Sequence, residues 1–358
     1  MTPEANTPFV WGPGGGQTAA IVPLLVGLAW VGLYTIEYWI AGPYSFLSFP
    51  DLAISLSHDI FAVEQHDGGQ FSHAFAGGND AAALLNSSGQ YVSFQRFLLR
   101  VFPIWVGNAV LKVISTGLCY LGVYLLSRRF TTRALASGLA ALGTVSNSLF
   151  VFDNWAHGFG YGIVPLAVYV CVFRPRWYFV VPIAFFHAIS MTPTHSGLAM
   201  FSALVLSGWV VGRLCLPAVG VMAAAVLLNW HESLSAKAAV GVLSFRGLEV
   251  SFAGEWWSSM AYDLRYFWAV AAVGAVGLLG LRDKRRAFAA LAASLWGGLV
   301  LNQLPWHGFG LPFLQGFNFD WISFSFPVVA LIVAALGIPR TRAVSLAVGA
   351  AAVGLLVW

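Results

Sequence analysis

The feature that most constrains this chain is a succession of apolar runs, each close to the ~20 residues that cross a bilayer and separated by short polar breaks. Lipid offers no water to backbone N–H and C=O groups. A segment of this kind must satisfy them internally, as a helix does. The runs fall at residues 18–40, 104–126, 134–152, 157–173, 178–194, 197–212, 214–230, 266–281, 287–304, 321–337 and 343–358. They predict an all-α, polytopic transmembrane helix bundle of about eleven spans, one integral membrane domain over residues 1–358. A mean hydropathy of +0.77 and a charged fraction of only 9% exclude an ordinary water-soluble globule. Residues 1–17 hold no Lys or Arg, so the first run is expected to remain as a span and not act as a cleaved leader.

The charges test this threading independently. Arg128, Arg129, Arg133, Arg174, Arg176, Arg213, Arg282, Lys284, Arg285, Arg286, Arg340 and Arg342 all fall in short turns on one side, which the positive-inside rule makes cytoplasmic. The opposite side collects Asp51, Asp59, Glu64, Asp67, Asp80, Asp153, Glu232, Glu249, Glu255, Asp263 and Asp320. It also holds His58, His66, His73, His157, His195, His231 and His307. The net charge of +4 therefore reports membrane topology and not a nucleic-acid surface. Cys119, Cys171 and Cys215 lie inside apolar runs and read as inert core residues.

Two outward segments are long, residues 41–103 and 231–265, and both are expected to bear short interfacial helices. The first contains SHDIFAVEQHDGGQFSHAF, in which Asp59, His66 and His73 recur every seven residues and would share one helical face. Its His58-Asp59 and His66-Asp67 pairs suit general-base chemistry, in which a carboxylate takes the proton of an attacking hydroxyl and a neighbouring imidazole tunes its charge. Holding a divalent cation is the alternative use of His and Asp, although neither His-x-x-x-His nor Asp-x-Asp occurs there. A solvated polar loop is the bland reading. No organic cofactor is expected.

Aromatic rings beside polar turns offer faces for sugar rings. Trp155-Ala-His157-Gly158-Phe159-Gly160 and Trp306-His307-Gly308-Phe309-Gly310 repeat this pairing at two outward turns. An interfacial aromatic belt accounts for many such rings equally well. Arg96, Arg100, Arg246 and Arg265 break the positive-inside pattern, and guanidinium groups at headgroup level can fork onto a phosphate. Glu37 and Lys112 lie within predicted spans, where a charge needs a partner, and each is the other's expected partner.

One span, then a long outward loop with early acids, then a multi-span body resembles the GT-C class of membrane glycosyltransferases, in particular a bacterial branch of it. The resemblance rests on three stretches: His66-Asp67 in the first loop, Phe102-Pro103 through Tyr124-Leu125-Leu126-Ser127-Arg128, and Gly316-Phe317-Asn318-Phe319-Asp320-Trp321. It implies a GT-C-like fold and transfer of a sugar from a polyprenyl-phosphate donor to a glycan or lipid acceptor at the outer face of the plasma (inner) membrane. By position it implies Asp67 as general base, with Asp59 second and His66 beside them. Arg96, Arg100, Arg246, Arg265, His157, His307 and Trp306 are the expected substrate contacts. The pattern departs from the class where Gly68, Gly69 and Gln70 follow Asp67. The competing readings are a transporter or flippase for a lipid-linked or anionic substrate, with Met191-Thr192-Pro193-Thr194 as a helix break, and a non-catalytic subunit of a membrane assembly.

Overall fold

The computed structural model describes residues 18–44, 92, 94–153, 158–190, 196–243, 254–317 and 319–339. Among these residues there is no β-strand. The chain order is α1 (Thr18–Ala41), α2 (Phe94–Val101), α3 (Ile104–Ser127), α4 (Arg133–Asp153), α5 (Gly158–Val168), α6 (Trp177–Ala188), α7 (Leu198–Val211), α8 (Leu216–Leu243), α9 (Gly254–Gly280), α10 (Lys284–Asn302) and α11 (Phe326–Gly337). Segments Ile21–Tyr44, Trp105–Ser127 and Phe319–Gly337 are long and apolar enough to cross a membrane, and they mark an all-helical membrane protein. Shorter apolar helices cover Gly160–Phe173, Trp177–Ala188, Leu198–Val211, Leu216–His231 and Phe267–Gly280.

The core forms around α3 and α11. Helix α11 is apolar on every side and is buried along nearly its whole length, as a helix without a polar face must be. On one flank it packs with α4 and α9 through Phe267, Val270, Leu331 and Ala334, and on the other with α5 and α7 through Ile163, Met200, Val328 and Ile332. Small residues permit the closest approaches. A methyl group on Gly277 would overlap Ala334 of α11, and one on Gly280 would overlap Gly337. Across α3 and α5, Gly122 lies against the Pro165–Leu166 backbone and Gly162 against Ser115. Dispersion and small-residue contact replace the hydrophobic effect as the force that joins helices in lipid, so these contacts matter more here than in a soluble bundle.

Two arginine-bearing turns meet at one end of this bundle. The Arg129 guanidinium lies 5.5 Å from the ring centroid of Tyr169 and 5.7 Å from that of Phe173, in the π-helical turn Tyr169–Phe173 that ends α5 just before Arg174. Nearby chain reversals use local chemistry. Gly212 takes φ 73° after α7, which lets Arg213 N–H reach Gly208 O at 2.7 Å. Asp283 caps α10 by accepting from Arg285 N–H at 3.2 Å.

The helices do not stop where the apolar runs do. A span was expected to end at Trp230, but α8 continues to Leu243, and α9 starts at Gly254 and not at Tyr266. Their 28 and 27 residues rise about 42 and 40 Å, against roughly 30 Å of hydrocarbon. Both are therefore longer than the hydrocarbon layer is thick by about two turns. The sequence after Trp230, HESLSAKAAVGVL, loses hydropathy but keeps good helix formers and has no proline, so the helix persists. Residues 231–243 and 254–265, expected to lie in a long segment between apolar runs, are thus helix continuous with the apolar parts of α8 and α9.

Candidate functional site

Two groups of long-range polar bonds lie at the end of the bundle opposite the arginine turns. Asn229, near the middle of α8, clasps the chain just before α2. Its Oδ1 accepts from Val92 N–H at 2.9 Å and its Nδ2 donates to Val92 O at 3.0 Å, so one amide side chain pairs both backbone groups of Val92 as a neighbouring strand would. The same Nδ2 reaches Ala188 O at 2.7 Å, and Trp230 Nε1 donates to that carbonyl at 2.8 Å. Phe94 N–H adds a bond to Ile189 O at 3.0 Å. The end of the first long segment is thereby fixed to α6 and α8.

A second polar knot lies where α10 ends. Asn302 Nδ2 donates to Asp320 Oδ1 at 2.6 Å, and Asn302 Oδ1 accepts from Phe319 N–H at 2.7 Å. Gly298, one turn earlier, lies against the Phe319–Asp320 backbone, so the 3₁₀ turn Phe319–Ser325 sits tightly on α10. Trp306 belongs to the same knot. Its Nε1 donates to Leu301 O at 3.0 Å, and its ring centroid is 5.7 Å from Phe319 and 6.2 Å from Phe309. His307 is exposed at the tip of the turn, with its carbonyl held by Gly310 N–H at 3.1 Å. The short 3₁₀ turn Pro312–Gly316 packs against α8, which joins this knot to the Asn229 clasp through one helix.

Deeper, Tyr161, Phe324 and Trp321 stack with centroids 4.3 Å apart for Tyr161–Phe324 and 5.1 Å for Trp321–Phe324. Tyr161 is buried, and its hydroxyl has no hydrogen-bond partner among the described residues. The expected Glu37–Lys112 pair is formed between α1 and α3.

Of the expected site residues, Trp306 and His307 come together in the turn after α10. Arg96 and Arg100 lie on α2, and Arg265 lies on α9. Asp59, His66, Asp67, His157 and Arg246 lie outside the described residues. Among the described residues no group of three His, Cys, Asp or Glu side chains is placed to hold a metal ion. The geometry adds residues that the sequence reading passed over. Asn229 ends an apolar run beside Trp230, and Asn302 occupies the same place in the run 287–304. An amide at the mouth of an apolar helix was the available signal, since such a group needs partners once desolvated. His187, buried at the end of α6, was missed because it sits inside an apolar run.

Comparison with protein families, with curated proteins and with solved structures finds no match to this chain.

Proposed function

We propose that the protein is an inverting membrane glycosyltransferase that moves a sugar from a polyprenyl-phosphate donor to a glycan or lipid acceptor at the outer face of the inner membrane. In this reading about eleven spans thread the chain with its N-terminus inside, and the fold is GT-C-like. Direct displacement needs a base on the acceptor side and cations at the leaving phosphate. Asp67 supplies the base, with His66 and Asp59 shaping its charge. Arg96, Arg100, Arg246 and Arg265 are the cations on offer, and Trp306, His307 and His157 are the groups on offer for the sugar.

The observation that carries the reading is the concentration of His-Asp pairs in residues 57–75 of a chain otherwise poor in charge. Its support in the fold is that α8 holds both Val92, near the end of the long segment 41–103, and the Pro312–Gly316 turn that follows Trp306. Transport of a lipid-linked substrate is the second reading. Pro165 within the short α5 and the π-helical turn that follows it favour it, because irregular helices line many transport sites.

The test is sugar transfer by the full chain in proteoliposomes supplied with a polyprenyl-phosphate sugar. Asp67→Asn keeps the shape of the side chain and removes the basic oxygen, so turnover should fall by ~10²–10⁴ with donor binding retained. Asp51→Asn and Asp80→Asn, in the same segment outside the cluster, should be nearly silent. Wild-type turnover in both Asp67→Asn and Asp59→Asn would defeat the enzyme reading, and donor movement across the bilayer without transfer would favour transport.

A further inference from the structure

Helix α2 has a position and a pattern that point to a partner. Only Phe102 and Pro103 separate it from α3, a spanning helix, and its Leu98 packs with Tyr38 near the end of α1, another spanning helix. It therefore lies at the level where two spans leave the apolar layer. The Asn229 clasp on Val92, the Phe94–Ile189 backbone bond and the Phe94–Phe186 ring contact at 5.9 Å hold it there.

Around this helix the chemistry is sorted. Leu98 is 3% exposed and packs on the bundle with Phe94, whereas Phe97 and Val101 are each 56% exposed. At 3.6 residues per turn, Arg96 and Arg100 occupy register positions about 200° round the helix from Phe94 and Leu98 respectively. The sequence FQRFLLRV contains no acid to neutralise them within the helix. An apolar flank beside a basic one, on a helix at the end of two spans, matches the headgroup boundary of a bilayer.

We infer that α2 is a binding surface for anionic phospholipid of the leaflet it faces. Phe97 and Val101 enter the acyl boundary, and Arg96 and Arg100 pair with lipid phosphates, whose geometry suits a guanidinium fork. Charge complementarity selects an anionic headgroup over a zwitterionic one. This inference does not depend on the transfer reading, and it narrows it: the donor phosphate is left to Arg246 and Arg265.

The experiment is lipid titration of the full-length protein in detergent, with bound lipids counted by native mass spectrometry. Phosphatidylglycerol is the probe, and phosphatidylcholine and polyprenyl phosphate are run in parallel. Arg96→Gln/Arg100→Gln should bind phosphatidylglycerol about 30-fold more weakly, at roughly 1 kcal/mol per basic residue. Phosphatidylcholine binding and the thermal unfolding midpoint should stay unchanged. Arg96→Lys/Arg100→Lys should keep most of the affinity. Equal phosphatidylglycerol affinity in wild type and the Gln variant overturns the inference, as does a Lys variant as weak as the Gln one. Loss of polyprenyl phosphate alone in the Gln variant also overturns it and returns the two arginines to the donor.

Discussion

Lys112 Nζ donates to Glu37 Oε1 at 2.5 Å and lies 4.4 Å from the centre of the Tyr38 ring, so a charged pair joins two membrane-crossing helices. The lysine side chain is 4% exposed and that of the glutamate 47%. Helix α1 shows most of its apolar surface to the surroundings, and toward its other end it is held by a bond from Tyr120 Oη to Pro23 O at 2.8 Å. Directed polar contacts near both ends thus position a helix that packing grips weakly.

Glu37→Gln leaves the Lys112 ammonium buried without its counter-charge and should cost about 3 kcal/mol, whereas Glu37→Gln combined with Lys112→Met should recover most of the loss. Thermal unfolding of the four proteins in one detergent, treated as a double-mutant cycle, measures the coupling. A double variant as unstable as Glu37→Gln alone would show that the pair is not what the single variant loses.

Gly277→Ala should destabilise by about 1–3 kcal/mol, because the added methyl meets the α11 backbone at Ala334 and one helix must move. Gly32→Ala is the matched control on α1. Among the described residues nothing lies within 4 Å of the added methyl there, and helix propensity should stabilise it by up to ~1 kcal/mol. Unfolding midpoints of opposite sign are the expected result.

Asn229→Ala removes both bonds to Val92 and one to Ala188. Ala188 O keeps Trp230, but the Val92 backbone loses its clasp, at about 1–3 kcal/mol for the stranded groups. Hydrogen exchange should rise over residues 92–101 and stay unchanged in α9 and α11. Uniform protection loss across the bundle would mean that Asn229 supports the whole fold and not the seat of α2.

Sidedness is open to direct labelling in a background with Cys215→Ala. Ser87→Cys should react with an impermeant thiol reagent added outside intact cells, and Asp283→Cys only after the membrane is opened. The reverse pattern would invert the threading and place the His-Asp segment inside.

The apolar helices were legible because hydropathy is a property of each segment alone. The apolar run at residues 104–126 foretold α3 closely, and the run at 321–337 covers α11 with most of the 3₁₀ turn before it, since lipid requires any such run to form a helix. The helical persistence of residues 231–243 was less legible, because it depends on propensity after hydropathy has ended. The Glu37–Lys112 pair was inferable for an electrostatic reason: few charges were available at that depth, and each required the other.

What tertiary structure alone decided are the contacts whose partners lie far apart in the chain. Val92 and Asn229 are 137 residues apart, and nothing local to either predicts that one amide will satisfy the other's backbone. The same holds for Gly277 against Ala334, where the absence of a side chain has meaning only once the facing helix is known. The sequence by itself determined that the chain is helical and that segments such as residues 104–126 are apolar enough to cross a membrane, because transfer free energy is summed residue by residue. Helix neighbours and polar clasps were decided by packing and hydrogen-bond geometry, which act between segments and leave no periodicity in any one of them.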